Sequence, residues 1–142
     1  MSTRAGEIAE DFQFLGEKDR LQLLLEFSES LPELDPKYGE NPELLERVEE
    51  CQSPVFIAVD GDSENVQLHF SAPREAPTTR GFASVLHSAL NGLSAQEILA
   101  TDDEFPSQLG LDKLISPLRV RGMRGMLFRI KRKTRELTQI DD

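Results

Sequence analysis

The stretch Val55-Phe56-Ile57-Ala58-Val59-Asp60-Gly61-Asp62, with Val66-Gln67-Leu68-His69-Phe70 after it, decides the fold. Its first five residues are apolar and rich in β-branched and aromatic side chains, which pack well on a pleated surface. Asp60-Gly61-Asp62 is turn chemistry, and Val66 to Phe70 alternates apolar and polar with the period of a half-buried strand. The pair reads as an antiparallel hairpin with Val66, Leu68 and Phe70 on its buried face. Pro73 to Pro77 then interrupts, in a segment that can lead into a short third strand.

On both sides of the hairpin the period becomes that of helices. Ile8, Phe12 and Leu15 recur at helical spacing with Gly16 as C-cap. Leu21, Leu24, Leu25, Ser28 and Leu31 form a second amphipathic pattern closed by Pro32, and the breaker-rich Pro32 to Gly39 reads as a loop. Asn41-Pro42 reads as the cap and first residue of a short helix through about Glu49, burying Leu44, Leu45 and Val48. After the hairpin, Thr78 or Thr79 caps a helix bearing Phe82, Val85, Leu86, Ala89 and Leu90, ended by Asn91-Gly92. Ser94-Ala95-Gln96-Glu97 has capping-box spacing, and Ser116-Pro117 is a strong helix start.

Leu118, Met123, Leu127, Ile130, Thr134 and Leu137 can line one side of the final helix. Gly122 and Gly125 each weaken that helix by about 1 kcal/mol relative to Ala, so their presence points to close backbone packing or contact. Helices, hairpin, helices is an α+β order: a small antiparallel sheet packed by N-terminal and C-terminal helices.

The 142 residues fit one domain, and 38% hydrophobic residues suffice for its core. No run of eighteen apolar residues appears, and the N-terminus lacks a signal-peptide core, so neither a membrane span nor export is expected. Net charge is −10, unevenly spread: residues 1–50 hold 14 acidic and 5 basic side chains, whereas residues 119–135 hold eight basic and no acidic ones. The acidic total argues against a dedicated nucleic-acid binder, an idea that only the basic stretch keeps open. The basic stretch reads instead as a helix face balancing the acidic half, or as a docking surface for an acidic protein.

One cysteine, Cys51, lies in Glu50-Cys51-Gln52-Ser53-Pro54-Val55-Phe56, between the helical pattern and the first strand. A lone cysteine makes no internal disulfide, Cys-pair metal site or two-cysteine redox cycle, and it suits the reducing cytoplasm. A thiol on a loop beside a rigid strand can be presented as a nucleophile. Free cysteines are also commonly buried and inert, and Glu49 and Glu50 disfavour a thiolate. Both readings stay open on residue chemistry alone.

Five pieces stand in order along the chain: Leu31-Pro32-Glu33-Leu34; Cys51-Gln52-Ser53 with Val55; Arg80-Gly81-Phe82; Leu93-Ser94-Ala95-Gln96-Glu97-Ile98; and Leu109-Gly110-Leu111 followed by Leu114-Ile115-Ser116-Pro117-Leu118-Arg119-Val120-Arg121-Gly122-Met123. Taken together they resemble the SufE family of sulfur-acceptor proteins. The resemblance spans about Leu31 to Leu137 and implies one SufE-like domain over 1–142, of the SufE/IscU-like α+β type, with a tail at 138–142. It implies that Cys51 accepts sulfane sulfur from the persulfide of a pyridoxal-phosphate cysteine desulfurase, SufS-like, and stimulates that enzyme. An iron–sulfur cluster scaffold would be the recipient. The chain itself would hold no pyridoxal phosphate, metal or cluster. Where the family usually carries Gly before the cysteine this chain has Glu50, which implies a stiffer, more negative loop.

Arg119 matches the family's motif arginine and by that match contacts the cysteine loop or the partner; the plain reading is a helix-start arginine bonding a nearby carboxylate. Gln52 and Ser53 either orient Cys51 or satisfy backbone groups of a turn. His69 and His87 are too dispersed for a metal site, and Ser84 and Ser88 near His87 match no triad. A second function uses the same scaffold without the chemistry: a docking module that regulates a desulfurase or sulfurtransferase, with Cys51 dispensable. A stand-alone cysteine enzyme would need a general base beside Cys51, and no His pairing is recognisable.

Overall fold

A computed structural model describes residues 3–139. Two helices open the chain, α1 (Arg4–Phe14) and α2 (Glu17–Ser30), followed by the short α3 (Pro36–Glu40) and a 3-10 turn at Pro42–Leu44. Three strands form one antiparallel sheet in chain order: β1 (Glu46–Arg47), β2 (Phe56–Asp62) and β3 (Asn65–Ser71). Helices α4 (Pro77–Leu90), α5 (Ala95–Ala100), α6 (Phe105–Gln108) and α7 (Pro117–Thr138) complete it. The α+β class expected from the sequence is the observed one.

The hairpin is where the apolar run placed it. Ile57 pairs with Phe70, Val59 with Leu68 and Gly61 with Val66, so one face carries Val66, Leu68 and Phe70, all buried. The turn differs. Strand β2 runs through Asp60-Gly61-Asp62, and the chain reverses at Ser63-Glu64, where Asp62 Oδ1 accepts from the Glu64 and Asn65 amides at 2.9 and 3.0 Å. Gly61 has φ 96°, and a Cβ there would lie 2.2 Å from the Asn65 carbonyl oxygen, so only glycine fits.

The third strand lies before the hairpin, not after it. Residues expected as a helix, 41–49, form the 3-10 turn and then β1, which pairs Glu46 with Ile57 and Arg47 with Phe56. Val48 is buried as expected, but Leu44 is exposed and Leu45 only half-buried. Pro73 to Ala76 is a turn, closed by the Ala76 N–H to the Pro73 carbonyl at 3.2 Å. Part of the expected loop after Pro32 is helix α3, capped by Asp35, whose side chain accepts from the Lys37 amide at 2.9 Å. Its Tyr38 donates to Asp60 at 2.7 Å and packs on His69, pinning α3 to the outer face of the sheet.

Helix caps fall close to the expected positions. Leu15 is the C-cap of α1, and Gly16 is the N-cap of α2. Ser94 and Glu97 form a reciprocal capping box, at 3.2 and 3.0 Å. Ser116 caps α7, but α4 begins at Pro77 without a side-chain cap, so neither Thr78 nor Thr79 is its cap. Gly81 lets α2 approach, since a Cβ there would lie 2.6 Å from the Leu24 carbonyl oxygen. Beside it Arg80 donates to the Ser28 and Ala72 carbonyls at 2.9 and 2.6 Å, tying α2 to the exit of β3.

Met123, Leu127, Ile130 and Thr134 of α7 are buried, joined by Val120 and Met126, while Leu118 is exposed and Leu137 half-buried. Thr138 is still helical and Gln139 caps α7; the rest of the expected tail, 140–142, lies outside the described residues. No helix among the described residues is long and apolar enough to cross a membrane.

Candidate functional site: the Cys51 loop on helix α7

The pairing of β1 with β2 continues one step to Val48, whose N–H donates to the Val55 carbonyl at 2.9 Å. Both valines are buried, so they anchor a six-residue excursion, Glu49 to Pro54. Its first part is a turn closed by the Cys51 N–H to the Val48 carbonyl at 3.1 Å, with Glu49 and Glu50 at its centre. The cysteine is therefore carried by a loop held at both ends, and it is only 7% exposed.

What it faces explains the two helix glycines. A Cβ on Gly122 would come within 2.9 Å of the Cys51 Sγ, and one on Gly125 within 2.6 Å of the Glu50 Oε1. Adjacent loop residues thus seat on two glycines about one turn apart on α7. Those glycines form no phosphate-binding loop; they are the floor beneath the cysteine.

Around the sulfur is a cavity of about 20 Å³ lined by Cys51, Gln52, Ser53, Thr79, Leu118, Arg119 and Gly122. The expected site residues Gln52, Ser53 and Arg119 thus converge on the thiol. Thr79 joins them unforeseen, from the first turn of α4. Neither Gln52 nor Ser53 makes a side-chain hydrogen bond, and Arg119 has no carboxylate partner, among the described residues. Leu118, on the rim, is an exposed apolar side chain.

The electrostatics are set by burial and by Glu50. Burial first, then the Glu50 charge, pushes the thiol up to about 11, against the smaller opposite pull of Arg129 and Arg47. Glu50 itself is not free: Arg129 donates to it through Nη1 and to Glu46 through Nε at 3.1 Å. Glu46 also accepts from Arg132 and lies 3.2 Å from Lys133. The Arg132 hydrogen bond, against burial and with help from Lys133, holds the Glu46 carboxyl down at about 2. Arg129 and Glu46 escaped the sequence reading because their contact crosses more than eighty residues; the glycine spacing facing Glu50-Cys51 was the available signal.

The histidines lie elsewhere. His69 meets Asp60 at 3.0 Å, and His87 packs edge-on to Phe70. Among the described residues no group of three or more His, Cys, Asp or Glu side chains is placed to hold a metal ion. No histidine lines the Cys51 cavity.

Comparison with known proteins agrees with this architecture. An uncharacterized SufE-like protein of Mycobacterium tuberculosis is 53% identical over 131 residues, covering 92% of this chain and 90% of the relative. One from Rhizobium meliloti is 33% identical over 134 residues, covering 91% and 93%. The solution structure of a hypothetical protein from Thermus thermophilus superimposes with a TM-score of 0.83 at 34% identity, covering 94% of this chain and 95% of that one. The sequence profile described as SufE, Fe-S metabolism associated domain, matches residues 6–134, and the chain belongs to the SufE family.

Proposed function

We propose that the chain is a sulfur carrier in iron–sulfur metabolism, with Cys51 as acceptor of persulfide sulfur from a pyridoxal-phosphate cysteine desulfurase. The observation that carries this is a lone thiol in a cavity with room for about one more atom. Pockets for organic ligands usually run to about 300–1,000 Å³, whereas the space beside Cys51 is about 20 Å³ and is near the minimum for one water. It suits an added sulfur and excludes an organic substrate while the loop is closed. With no general base lining the cavity, a stand-alone cysteine enzyme is disfavoured.

The transfer needs one thiol from each partner. The Cys51 thiolate attacks the outer sulfur of the donor's Cys-S-SH; a new S–S bond forms on Cys51, the donor's S–S bond breaks, and the donor cysteine leaves as thiolate. The closed loop opposes the first step, since burial and Glu50 raise the thiol and leave less thiolate than an exposed cysteine would have. Outward movement relieves the burial that causes this, while Arg119 lines the cavity and the Arg47 charge favours the thiolate. Closure then shelters the persulfide from stray reductants. An iron–sulfur scaffold is the recipient, and the reducing cytoplasm is the compartment that keeps such a thiol available.

Incubation with a cognate desulfurase and cysteine, followed by intact mass without reductant, tests the reading. The expected result is a gain of one sulfur on the native chain and none on Cys51→Ser; no gain with a competent desulfurase overturns it. The raised thiol and Glu50 favour a second reading, a regulatory docking module. Desulfurase stimulation that survives Cys51→Ser would select it.

A further inference from the structure

Cys51 and Glu50 occupy neighbouring seats on α7, but only Glu50 is held there by charge. Its carboxylate accepts from Arg129, one helical turn beyond Gly125, and Arg129 is braced by Glu46 at 3.1 Å. The Arg129 side chain is 12% exposed and that of Glu50 is 28%, so the pair sits at the margin of the fold, with the carboxylate nearer water. We infer that Glu50 and Arg129 form a latch that holds the Cys51 loop closed, making them positioning residues for the transfer proposed above, on which this inference rests.

The two halves of the latch differ in the way a reversible device requires. Arg129 belongs to the rigid helix and keeps Glu46 when Glu50 leaves; Glu46 in turn is fixed by Arg132 and Lys133. Glu50 belongs to the excursion and moves out into water. Opening therefore strands no buried unpaired charge, the condition that would make breaking an ion pair prohibitive. The loop ends stay pinned through Val48 and Val55, so movement is confined to Glu49–Pro54. Turning Cys51 outward between those anchors rotates the backbone of the turn and releases the Cys51 N–H from the Val48 carbonyl.

Amide hydrogen exchange and thiol alkylation on the full chain, without any desulfurase, test the latch in Glu50→Ala and Arg129→Gln. The two changes act oppositely on the thiol charge: Glu50 disfavours the thiolate, Arg129 favours it. Charge alone would speed alkylation in Glu50→Ala and slow it in Arg129→Gln. A latch speeds both, and raises Cys51 amide exchange about tenfold in each, as losing one charge-assisted hydrogen bond at a partly exposed site would. The Val48 amide should keep its protection. Unchanged Cys51 amide exchange in folded Glu50→Ala, or slower alkylation in folded Arg129→Gln, overturns the inference. Should melting curves show Arg129→Gln unfolded, the Cys51 amide of Glu50→Ala decides alone. Neither measurement involves sulfur transfer, so failure here leaves the persulfide mass test standing, and failure of that test leaves these results intact.

Discussion

Cys51 is held against Gly122 in a cavity of about 20 Å³, and burial together with Glu50 pushes its thiol up to about 11. At neutral pH the closed loop therefore leaves far less thiolate than an ordinary exposed cysteine would carry. Alkylation of the native chain should keep rising by about tenfold per pH unit well past the roughly 8.5 of an ordinary cysteine. A plateau near that ordinary value would show the loop open at rest. Because the folded value is raised, the associated stability is complete below the unfolded value and is lost as pH climbs toward 11. The seat itself can be removed: a Cβ in Gly122→Ala would lie 2.9 Å from Sγ, so sulfur and loop must shift. Overpacking of this kind costs about 1–3 kcal/mol, partly offset by the roughly 1 kcal/mol gain in helix propensity. The expected outcome is a modestly lower melting temperature with faster Cys51 labelling; unchanged labelling would mean that Gly122 is not what confines the thiol.

Strand β1 and helix α7 are joined through one carboxylate. Glu46 gathers Arg129, Arg132 and Lys133, and its depressed carboxyl contributes stability above the ordinary value that is lost as pH falls toward about 2. Glu46→Gln should lower the melting temperature at about pH 7 by several degrees and flatten the loss of stability between pH 4.5 and 2, read by thermal melts across that range. An unchanged acid profile would show the cluster to be idle. This strand is also where sequence and structure part. Asn41-Pro42 has the chemistry of a helix start, and a two-residue strand is too short to carry a period, so its pairing with β2 decided the outcome. The hairpin, the Ser94 capping box and the Ser116-Pro117 start were readable because each is written in consecutive residues. Within the site, Cys51 and its neighbours could be read in the same way. Thr79, Arg129 and the role of Glu46 are less legible, because α4 and α7 reach the loop only on folding and Glu46, four residues before Glu50, gains its part through Arg129.

Charge is segregated along the chain and recombined by the fold. Of the eight basic residues in 119–135, five are spent within the molecule: Arg124 on Glu104, Lys131 on Asp103, and Arg129, Arg132 and Lys133 on the acids of β1 and its loop. The stretch that reads as a basic strip is therefore mostly a helix face neutralised from within, on a chain of net charge −10. Arg119, Arg121 and Arg135 remain without an ion pair among the described residues; the first two lie on the first turns of α7, and Arg119 lines the cysteine cavity. Three uncompensated cations could release counterions from about three phosphates, too few for firm binding at physiological salt against the repulsion of the acidic whole. A fluorescein-labelled DNA duplex titrated with the chain at about 150 mM salt should show no saturable anisotropy change at micromolar protein. Micromolar binding that weakens steeply with salt would mean that α7 gives up its internal partners to phosphate. In that case Glu46 and Glu50 would lose their cations, the loop would open without a desulfurase, and Cys51 labelling would accelerate on adding DNA. With the ion pairs intact, labelling should be indifferent to DNA, so one thiol measurement reports whether the basic face is already occupied.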